Sequence, residues 1–261
     1  LSPFFILGFR VREQWNIPGY DAEFINNNDR APFGIFLWNE TFKEAYKSWM
    51  TELLTRPNPF HPEETPLAED PAVMNFEILN EDNVFFFTFS PSSYPDEQRE
   101  KLEGIYGDWI IEKYGSIQNA YDAWGGGAAI KPGDDVDGGL LTLDAIPTLR
   151  GLRNPDNPNP LRLRQRDQLD FLIELQKDFW DEMVQFVRGL GYQGPVSATN
   201  WKTANDARFR DAEYYTYTAT DVIDVHNYFS AEANKEVSFA IREGDTYANH
   251  SAVDRPEEIS T

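Results

Sequence analysis

The sequence predicts an α/β fold in which short strands and long helices alternate around a parallel sheet. Short runs rich in β-branched and aromatic residues alternate with longer stretches whose apolar residues recur at helical spacing. Strands are predicted at residues 4–9, 73–79, 195–199 and 222–229. Because a helix is predicted between most pairs of strands, the strands are expected to run parallel.

The first half of the chain supplies two strands and one long helix. Residues 4–9 form a nearly continuous apolar run, which is typical of a strand buried on both faces. A helix is predicted over 41–54, where apolar residues fall at helical spacing and Thr41 is available as an N-terminal cap. Pro71 interrupts the chain before the strand at 73–79.

Helices and one long loop fill the middle of the chain. Pro95 is a favourable first residue for a helix, and a shorter helix is predicted to start at Ser116 and to end at Gly125. Residues 125–165 are rich in Gly, Pro, Asn and Asp with little periodicity, so we predict a long loop above the sheet. The longest helix is predicted over about 165–190.

The composition excludes several classes of function. The chain has 261 residues, a net charge of −21 and no Cys. A strongly acidic protein repels nucleic acid, and no apolar run is long enough to span a bilayer, so neither a nucleic-acid nor a membrane partner is predicted. Without Cys, disulfides, zinc ribbons and iron–sulfur ligation are excluded. The absence of Cys does not indicate in which cellular compartment the protein is found.

No cofactor or metal is predicted. The acidic run Asp134, Asp135, Asp137 and Gly138 lacks the alternating ligands and the closing Glu of a calcium loop. Phosphate-binding, dinucleotide-binding and zinc-protease motifs do not occur in the sequence.

The most informative segment is the end of the second predicted strand, where Asn80 and Glu81 follow an apolar run. The carboxyl ends of strands present reactive groups in α/β folds. A carboxylic acid placed there can donate a proton, and the neighbouring amide can bind a hydroxyl group. An acidic turn that caps a helix is the alternative, since Asn80, Asp82 and Asn83 are all good caps. The spacing does not decide between these two interpretations.

Glu77 shares its strand face with Glu81 and is expected one layer deeper. A buried carboxylate needs a partner, and Arg10 or Arg12 could supply it. We interpret Glu77 as one half of a buried ion pair rather than as a catalytic group.

The ends of the last two predicted strands carry further candidates. In the strand at 222–229, Asp224, His226 and Tyr228 share the polar face, which favours a functional over a structural role for His226 and Tyr228. Asn200 and Trp201 follow the strand at 195–199. The Trp201 indole could bind a sugar face or cover the core. Trp15 and Trp38 are weaker candidates for the same role.

These segments together resemble clan A glycoside hydrolases. Residues 77–81, Glu-Ile-Leu-Asn-Glu, resemble the strand-four signature of these enzymes, which include the cellulase- and mannanase-like family 5 and the family 42 β-galactosidases. Residues 221–228, Asp-Val-Ile-Asp-Val-His-Asn-Tyr, resemble their strand six, and residues 109–124 are similar to a helix pair that often follows strand four. The resemblance is closest to family 5-like proteins.

The resemblance implies a (β/α)8 TIM barrel that is incomplete in this chain. Residues 1–261 would form part of a single catalytic domain, from about strand three to just past strand six, with strands one, two, seven and eight not found. A complete barrel takes about 250 residues, but long excursions such as 125–165 use much of this length. Both chain ends are therefore expected to be cuts in a longer protein.

The resemblance also implies roles for individual residues. Glu81 would be the general acid/base, and Asn80 would bind the 2-hydroxyl of the sugar at the cleavage point. His226 and Tyr228 would line that subsite, and Trp201, beside Asn200, would be an aromatic platform. The nucleophilic Glu is expected beyond the end of this chain, because no predicted strand precedes a suitable Glu here.

The predicted function is therefore a retaining glycoside hydrolase that cleaves β-glycosidic bonds in a polysaccharide or oligosaccharide. The alternative is a non-catalytic carbohydrate-binding barrel that lacks the nucleophile. A carbohydrate is the expected partner in both cases. Secretion or a periplasmic location is expected from the resemblance alone.

Overall fold

Long helices account for most of the regular structure in the computed structural model. The structure describes residues 1, 10–27, 32–61, 63–149, 152, 158–201 and 209–224. Of these residues 54% are helical. None of the helices described combines the length and the apolar composition that a membrane crossing requires.

Four of the seven α-helices in the described ranges lie close to where the sequence predicts them, and the helices at 22–27, 146–149 and 210–217 were not predicted. In the described ranges the α-helices are α1 (Ala22–Asn27), α2 (Glu40–Thr55), α3 (Asp96–Tyr114), α4 (Ile117–Trp124), α5 (Ile146–Leu149), α6 (Arg162–Gly189) and α7 (Arg210–Tyr217). Asn39, and not the predicted Thr41, caps α2, because its Oδ1 accepts a hydrogen bond from the N–H of Phe42 at 3.3 Å. Ser116, where the sequence predicts that this helix starts, caps α4, since its Oγ accepts from the N–H of Asn119 at 3.1 Å.

The sheet is small and parallel. Strand β1 (Phe76–Glu77) pairs with β2 (Val196–Ser197), with Phe76 opposite Val196 and Glu77 opposite Ser197. A single parallel bridge joins Ser197 to Val222. The polypeptide between β1 and β2 includes α3, α4, α5 and α6, so the connection is long and mostly helical.

The prediction of a (β/α)8 TIM barrel, even an incomplete one, is wrong. The described residues hold two strands of two residues each, where long strands were predicted at 73–79 and 195–199. Short apolar runs do not by themselves distinguish a strand from another buried segment. Here the flanking residues Ile78, Leu79 and Ala198 are buried, but the strands themselves extend over only two residues. The predicted strand at 4–9 and most of that at 222–229 lie outside the described residues.

The two strands lie in the buried core and are held from two sides. Phe76, Ile78 and Val196 are fully buried. From α2, the hydroxyl of Tyr46 donates a hydrogen bond to the carbonyl oxygen of Ile78. From α6, the Oε1 of Gln176 accepts from the N–H of Val84 at 2.8 Å. These two helices therefore fix the segment that follows β1.

The segment predicted as a long loop, residues 125–165, is anchored to α6 by a buried ion pair. It contains a 3₁₀ turn, Gly126–Ala129, and α5. Asp134 accepts hydrogen bonds from both terminal nitrogens of Arg164, at 2.5 and 2.7 Å. Burial alone raises the pKa of Asp134, but hydrogen bonds from Arg164 and from two backbone N–H groups outweigh it and lower the pKa to about 2. Residues 150, 151 and 153–157 lie outside the described part.

Candidate functional site

The side-chain amide of Asn200 contacts two other predicted site residues, Asn80 and Glu81, and also contacts Glu77. Its Nδ2 donates to Glu77 Oε1 at 2.9 Å and to Asn80 Oδ1 at 2.7 Å. Its Oδ1 accepts from the backbone N–H of Glu81 at 3.2 Å. Glu77, Glu81 and Asn200 are buried, with exposed fractions of 3%, 7% and 1%. We call these four residues the Asn200 junction.

The register of the two strands explains why the junction forms. Pairing continues past the strands themselves, since the N–H of Ile78 donates to Ser197 and that of Leu79 donates to Ala198. Parallel strands end at the same edge of a sheet, so the residues that follow β1 and β2 emerge side by side. Asn80 and Asn200 are thus neighbours although 120 residues separate them in the chain.

Glu81 has a backbone conformation that is unusual for its residue type. Its φ is 56°, in the left-handed region. A residue with a Cβ pays roughly 1 kcal/mol or more to stay there, so the surrounding contacts must impose the conformation. The hydrogen bond from its N–H to Asn200 is one such contact. Strained backbone of this kind occurs preferentially at functional sites.

Asp82 is a buried carboxyl group that fixes the backbone beside Glu81. Both of its oxygens accept from the N–H of Gly34, at 2.9 and 3.0 Å. Gly34 has a φ of 75°, and a Cβ added there would lie 2.7 Å from Phe89, so only glycine fits. Burial raises the pKa of Asp82 to about 7, against the opposing effect of the hydrogen bonds from Gly34 and Asn83. From the sequence, Asp82 was considered only as a possible helix cap.

A second buried polar group lies on α7. The Oε1 of Glu213 accepts from Asn83 Nδ2 at 2.9 Å and lies 3.0 Å from the hydroxyl of Tyr217. The same hydroxyl lies 2.8 Å from the carbonyl oxygen of Trp201, so it donates to one or the other. The helix α7 was not predicted from the sequence. The pattern that could have indicated it is the spacing of Glu213 and Tyr217, which are four residues apart and so lie on one helix face.

Aromatic side chains adjoin the junction. The ring of Phe86 contacts Trp201 at a centroid distance of 4.2 Å and Phe87 at 4.4 Å. Phe86 is buried, Trp201 is half-buried and Phe87 is 53% exposed. We call these three residues the aromatic cluster. The predicted Trp201 therefore belongs to a larger group, and its two phenylalanines were not predicted.

The remaining sequence candidates lie elsewhere. Trp38 is buried in the core against Tyr94, with ring centroids 5.5 Å apart. Trp15 is 47% exposed and lines an apolar cavity of about 550 Å³ together with Trp49. His226 and Tyr228 lie outside the described residues, so their roles remain predictions.

No match to this chain was found among protein-family models, curated proteins or solved structures. The resemblance to clan A glycoside hydrolases thus remains a prediction made from the residues.

The junction has the chemistry of a site for a hydroxylated ligand. It combines two carboxyl groups, Glu77 and Glu81, with the two amides of Asn80 and Asn200, which one hydrogen bond joins. Within the described ranges, no group of three or more metal-ligating side chains is placed to hold a metal ion. Such an arrangement can transfer a proton and bind hydroxyl groups.

Proposed function

We propose that the protein is a retaining glycoside hydrolase that cleaves β-glycosidic bonds in a polysaccharide or oligosaccharide, with Glu81 as the general acid/base. The observation that carries the proposal is the Asn200 junction, which holds Glu81 and Asn80 together at the end of β1. The proposal concerns the chemistry of this site and requires no particular number of strands.

Glu81 suits the acid/base role because its position is imposed. A general acid must keep its proton within hydrogen-bond distance of the leaving oxygen. The left-handed φ of Glu81 and the hydrogen bond of its N–H to Asn200 restrict where the carboxyl group can lie. Its 7% exposure removes most of the water that would compete for the proton.

Asn80 suits the role of a hydroxyl-binding group. Its Oδ1 accepts from Asn200, which fixes the orientation of the amide. No described residue accepts a hydrogen bond from its Nδ2, so this group is available to donate to a sugar hydroxyl. In the proposed reaction the donor binds the 2-hydroxyl, and the contact strengthens as charge develops on the sugar ring.

The reaction proceeds in two displacements. Glu81 first protonates the glycosidic oxygen while a second carboxylate attacks the anomeric carbon from the other face and the leaving sugar departs. Glu81 then takes a proton from a water molecule that releases the glycosyl group. The second carboxylate must lie about 5 Å from the first, and we place it outside the described residues.

Hydrolysis of β-linked substrates by the full-length protein and by two variants of it tests the proposal. Glu81→Gln keeps the shape of the side chain but cannot donate a proton, so we expect kcat on oligosaccharides to fall about 10²- to 10⁴-fold. The matched control is Glu103→Gln on α3, a glutamate of similar burial at 5% exposure. We expect this control to keep its activity within about twofold, since general-acid catalysis does not involve Glu103.

A second readout separates the acid/base role from a loss of folding. With an aryl β-glycoside whose leaving group needs no protonation, Glu81→Ala is expected to regain activity in azide and to release a β-glycosyl azide. The proposal fails if oligosaccharide hydrolysis survives Glu81→Gln. It also fails if the protein binds β-linked oligosaccharides without cleaving any of them, which is the outcome for a non-catalytic carbohydrate-binding protein.

A further inference from the structure

We propose that the apolar cavity beside α2 binds a small organic cation that carries a quaternary ammonium group. The cavity has a volume of about 550 Å³, within the range of about 300–1,000 Å³ that is usual for small-molecule sites. None of the four residues of the Asn200 junction lines it, so the inference goes beyond the proposed function and does not depend on it.

The floor of the cavity consists of aromatic rings that pack on one another. The ring centroids of Phe36 and Phe42 lie 5.6 Å apart, and those of Phe36 and Tyr46 also lie 5.6 Å apart, both in edge-to-face contact. All three side chains are buried. The hydroxyl of Tyr46 donates to the carbonyl oxygen of Ile78, so its polar end is used in the core while the side chain lines the cavity. These contacts hold the aromatic floor in place before any ligand binds.

Two partly exposed tryptophans form the rim of the cavity. Trp15, at the end of the 3₁₀ turn Glu13–Trp15, is 47% exposed, and Trp49 of α2 is 42% exposed. The ring of Trp49 is stacked on that of Tyr46, with centroids 5.9 Å apart and an interplanar angle of 17°. The face of a tryptophan ring attracts a cation more strongly than that of any other side chain. The rim therefore offers the rings that suit a positively charged ligand best.

The chemistry of the lining disfavours sugars and anions. The described residues that line the cavity include no charged side chain, and Thr41 and Tyr46 supply their only hydroxyl groups. Arg12, the basic residue nearest to Trp15 in the sequence, is not among them. Few groups are thus present to bind the hydroxyls of a sugar, and no positive charge is present to bind an anion. A ligand held mainly by contact with ring faces fits this lining.

The charges around the cavity favour a cation over a neutral apolar ligand. The chain has a net charge of −21, which attracts cations to its surface. Both lysines of α2 are directed towards α6, since the Nζ atoms of Lys43 and Lys47 lie 2.8 and 2.6 Å from carboxylate oxygens of Glu182. Glu52 is exposed and follows Trp49 by three positions, so it lies on the same face of α2 as the rim. This face of the helix therefore carries a negative and no positive side chain beside the cavity.

Calorimetric titrations of the full-length protein with choline and with its neutral isostere 3,3-dimethylbutan-1-ol test the inference. The two ligands share their shape and differ in the charged nitrogen, which is a carbon atom in the isostere. The ratio of their affinities therefore measures how strongly the ring faces attract the charge. We expect choline to bind about fivefold or more tightly than the isostere. Benzyltrimethylammonium fills more of the cavity and should bind more tightly than choline.

Substitutions at the rim separate the ring faces from apolar contact in general. Trp49→Leu removes the ring but keeps an apolar side chain, so the affinity for choline should fall about fivefold and that for the isostere should change less than twofold. Trp15→Leu should have the same effect. The matched control is Trp109→Leu on α3, a half-buried tryptophan outside the cavity, which should leave both affinities within about twofold. Thermal unfolding of every variant shows whether a loss of affinity follows from a loss of folding.

Three results would overturn the inference. Equal affinities for choline and its isostere would mean that the cavity takes neutral apolar ligands, and absence of binding of all three ligands would mean that it is not a ligand site. Vesicles of phosphatidylcholine carry the same ammonium group on a lipid, and we expect the protein not to sediment with them. Sedimentation with the vesicles without binding of free choline would refute a small molecule as the ligand.

Discussion

The Nδ2 of Asn200 lies 2.9 Å from the Oε1 of Glu77, and this hydrogen bond joins two parallel strands at their carboxyl ends. Glu77 is 3% exposed, so its carboxyl group needs polar partners inside the protein. The same Asn200 side chain contacts Asn80 and the backbone of Glu81. One amide therefore links the burial of a structural carboxyl group to the position of the proposed acid/base.

Replacing Asn200 is expected to destabilise the fold in a pH-dependent way. Asn200→Ala removes a donor to Glu77, which should lower the free energy of unfolding by about 1–3 kcal/mol. Asn200→Asp places a second carboxyl group beside Glu77, and two buried carboxylates repel each other once both are ionised. Urea unfolding of Asn200→Asp should therefore show a larger loss of stability at pH 8 than at pH 5.

The control for this prediction is Asn27→Asp, at the exposed end of α1. Its stability relative to the wild type should vary by less than about 0.5 kcal/mol between the two pH values, because an exposed charge is well solvated. Equal losses for Asn200→Asp at pH 5 and pH 8 would contradict the close contact with Glu77.

Glu81 should tolerate glycine better than alanine. Both substitutions remove the same side chain, but alanine at a φ of 56° keeps the steric strain that glycine avoids. We expect Glu81→Gly to be more stable than Glu81→Ala by about 1 kcal/mol in urea unfolding. The matched pair is Glu77→Gly and Glu77→Ala in β1, where the order should reverse because glycine weakens extended strands.

Four of the helices could be predicted from the sequence because their signals are local. The predicted helix at 41–54 is observed as Glu40–Thr55, and the one at about 165–190 as Arg162–Gly189. Apolar spacing and end caps act within a few residues of each other, so a single segment contains the information. Strand length depends on a partner elsewhere in the chain, and the runs at 73–79 and 195–199 form strands of only two residues each, although backbone hydrogen bonds between them continue to Leu79.

The grouping of residues in the candidate site could be predicted only where it follows directly from the ends of the strands. Asn80, Glu81 and Asn200 were identified because side chains after parallel strands meet at one edge. The bond between Asn83 and Glu213 joins residues 130 positions apart, and that between Asp82 and Gly34 joins residues 48 apart. No periodicity in the sequence relates such pairs, because tertiary packing alone creates them.

Asp82 should make the protein less stable as the pH rises from about 4 to 7. The pKa of Asp82 in the folded protein is raised from an ordinary value of 3.8 to about 7, so the folded state binds a proton that the unfolded state has released. The free energy of unfolding should fall by up to about 1.4 kcal/mol per pH unit in this window. Asp82→Asn removes the titrating group and should flatten this dependence in urea titrations.

The control for Asp82 is Asp108→Asn on the exposed side of α3. This variant should keep the pH dependence of the wild type, because it leaves the buried carboxyl group in place. If the free energy of unfolding of Asp82→Asn falls between pH 4 and 7 as steeply as that of the wild type, Asp82 is not the group that causes this pH dependence.

The ion pair between Asp134 and Arg164 should have the opposite pH dependence. Asp134→Asn leaves Arg164, which is 2% exposed, without its carboxylate, so unfolding at pH 7 should become easier by about 3 kcal/mol. The pKa of Asp134 is lowered from 3.8 to about 2, so the stabilisation is present above pH 4 and is lost as the pH falls. In urea unfolding, the difference in the free energy of unfolding between Asp134→Asn and the wild type should be about 1 kcal/mol smaller at pH 3 than at pH 7. A constant difference would show that the pair does not lower this pKa.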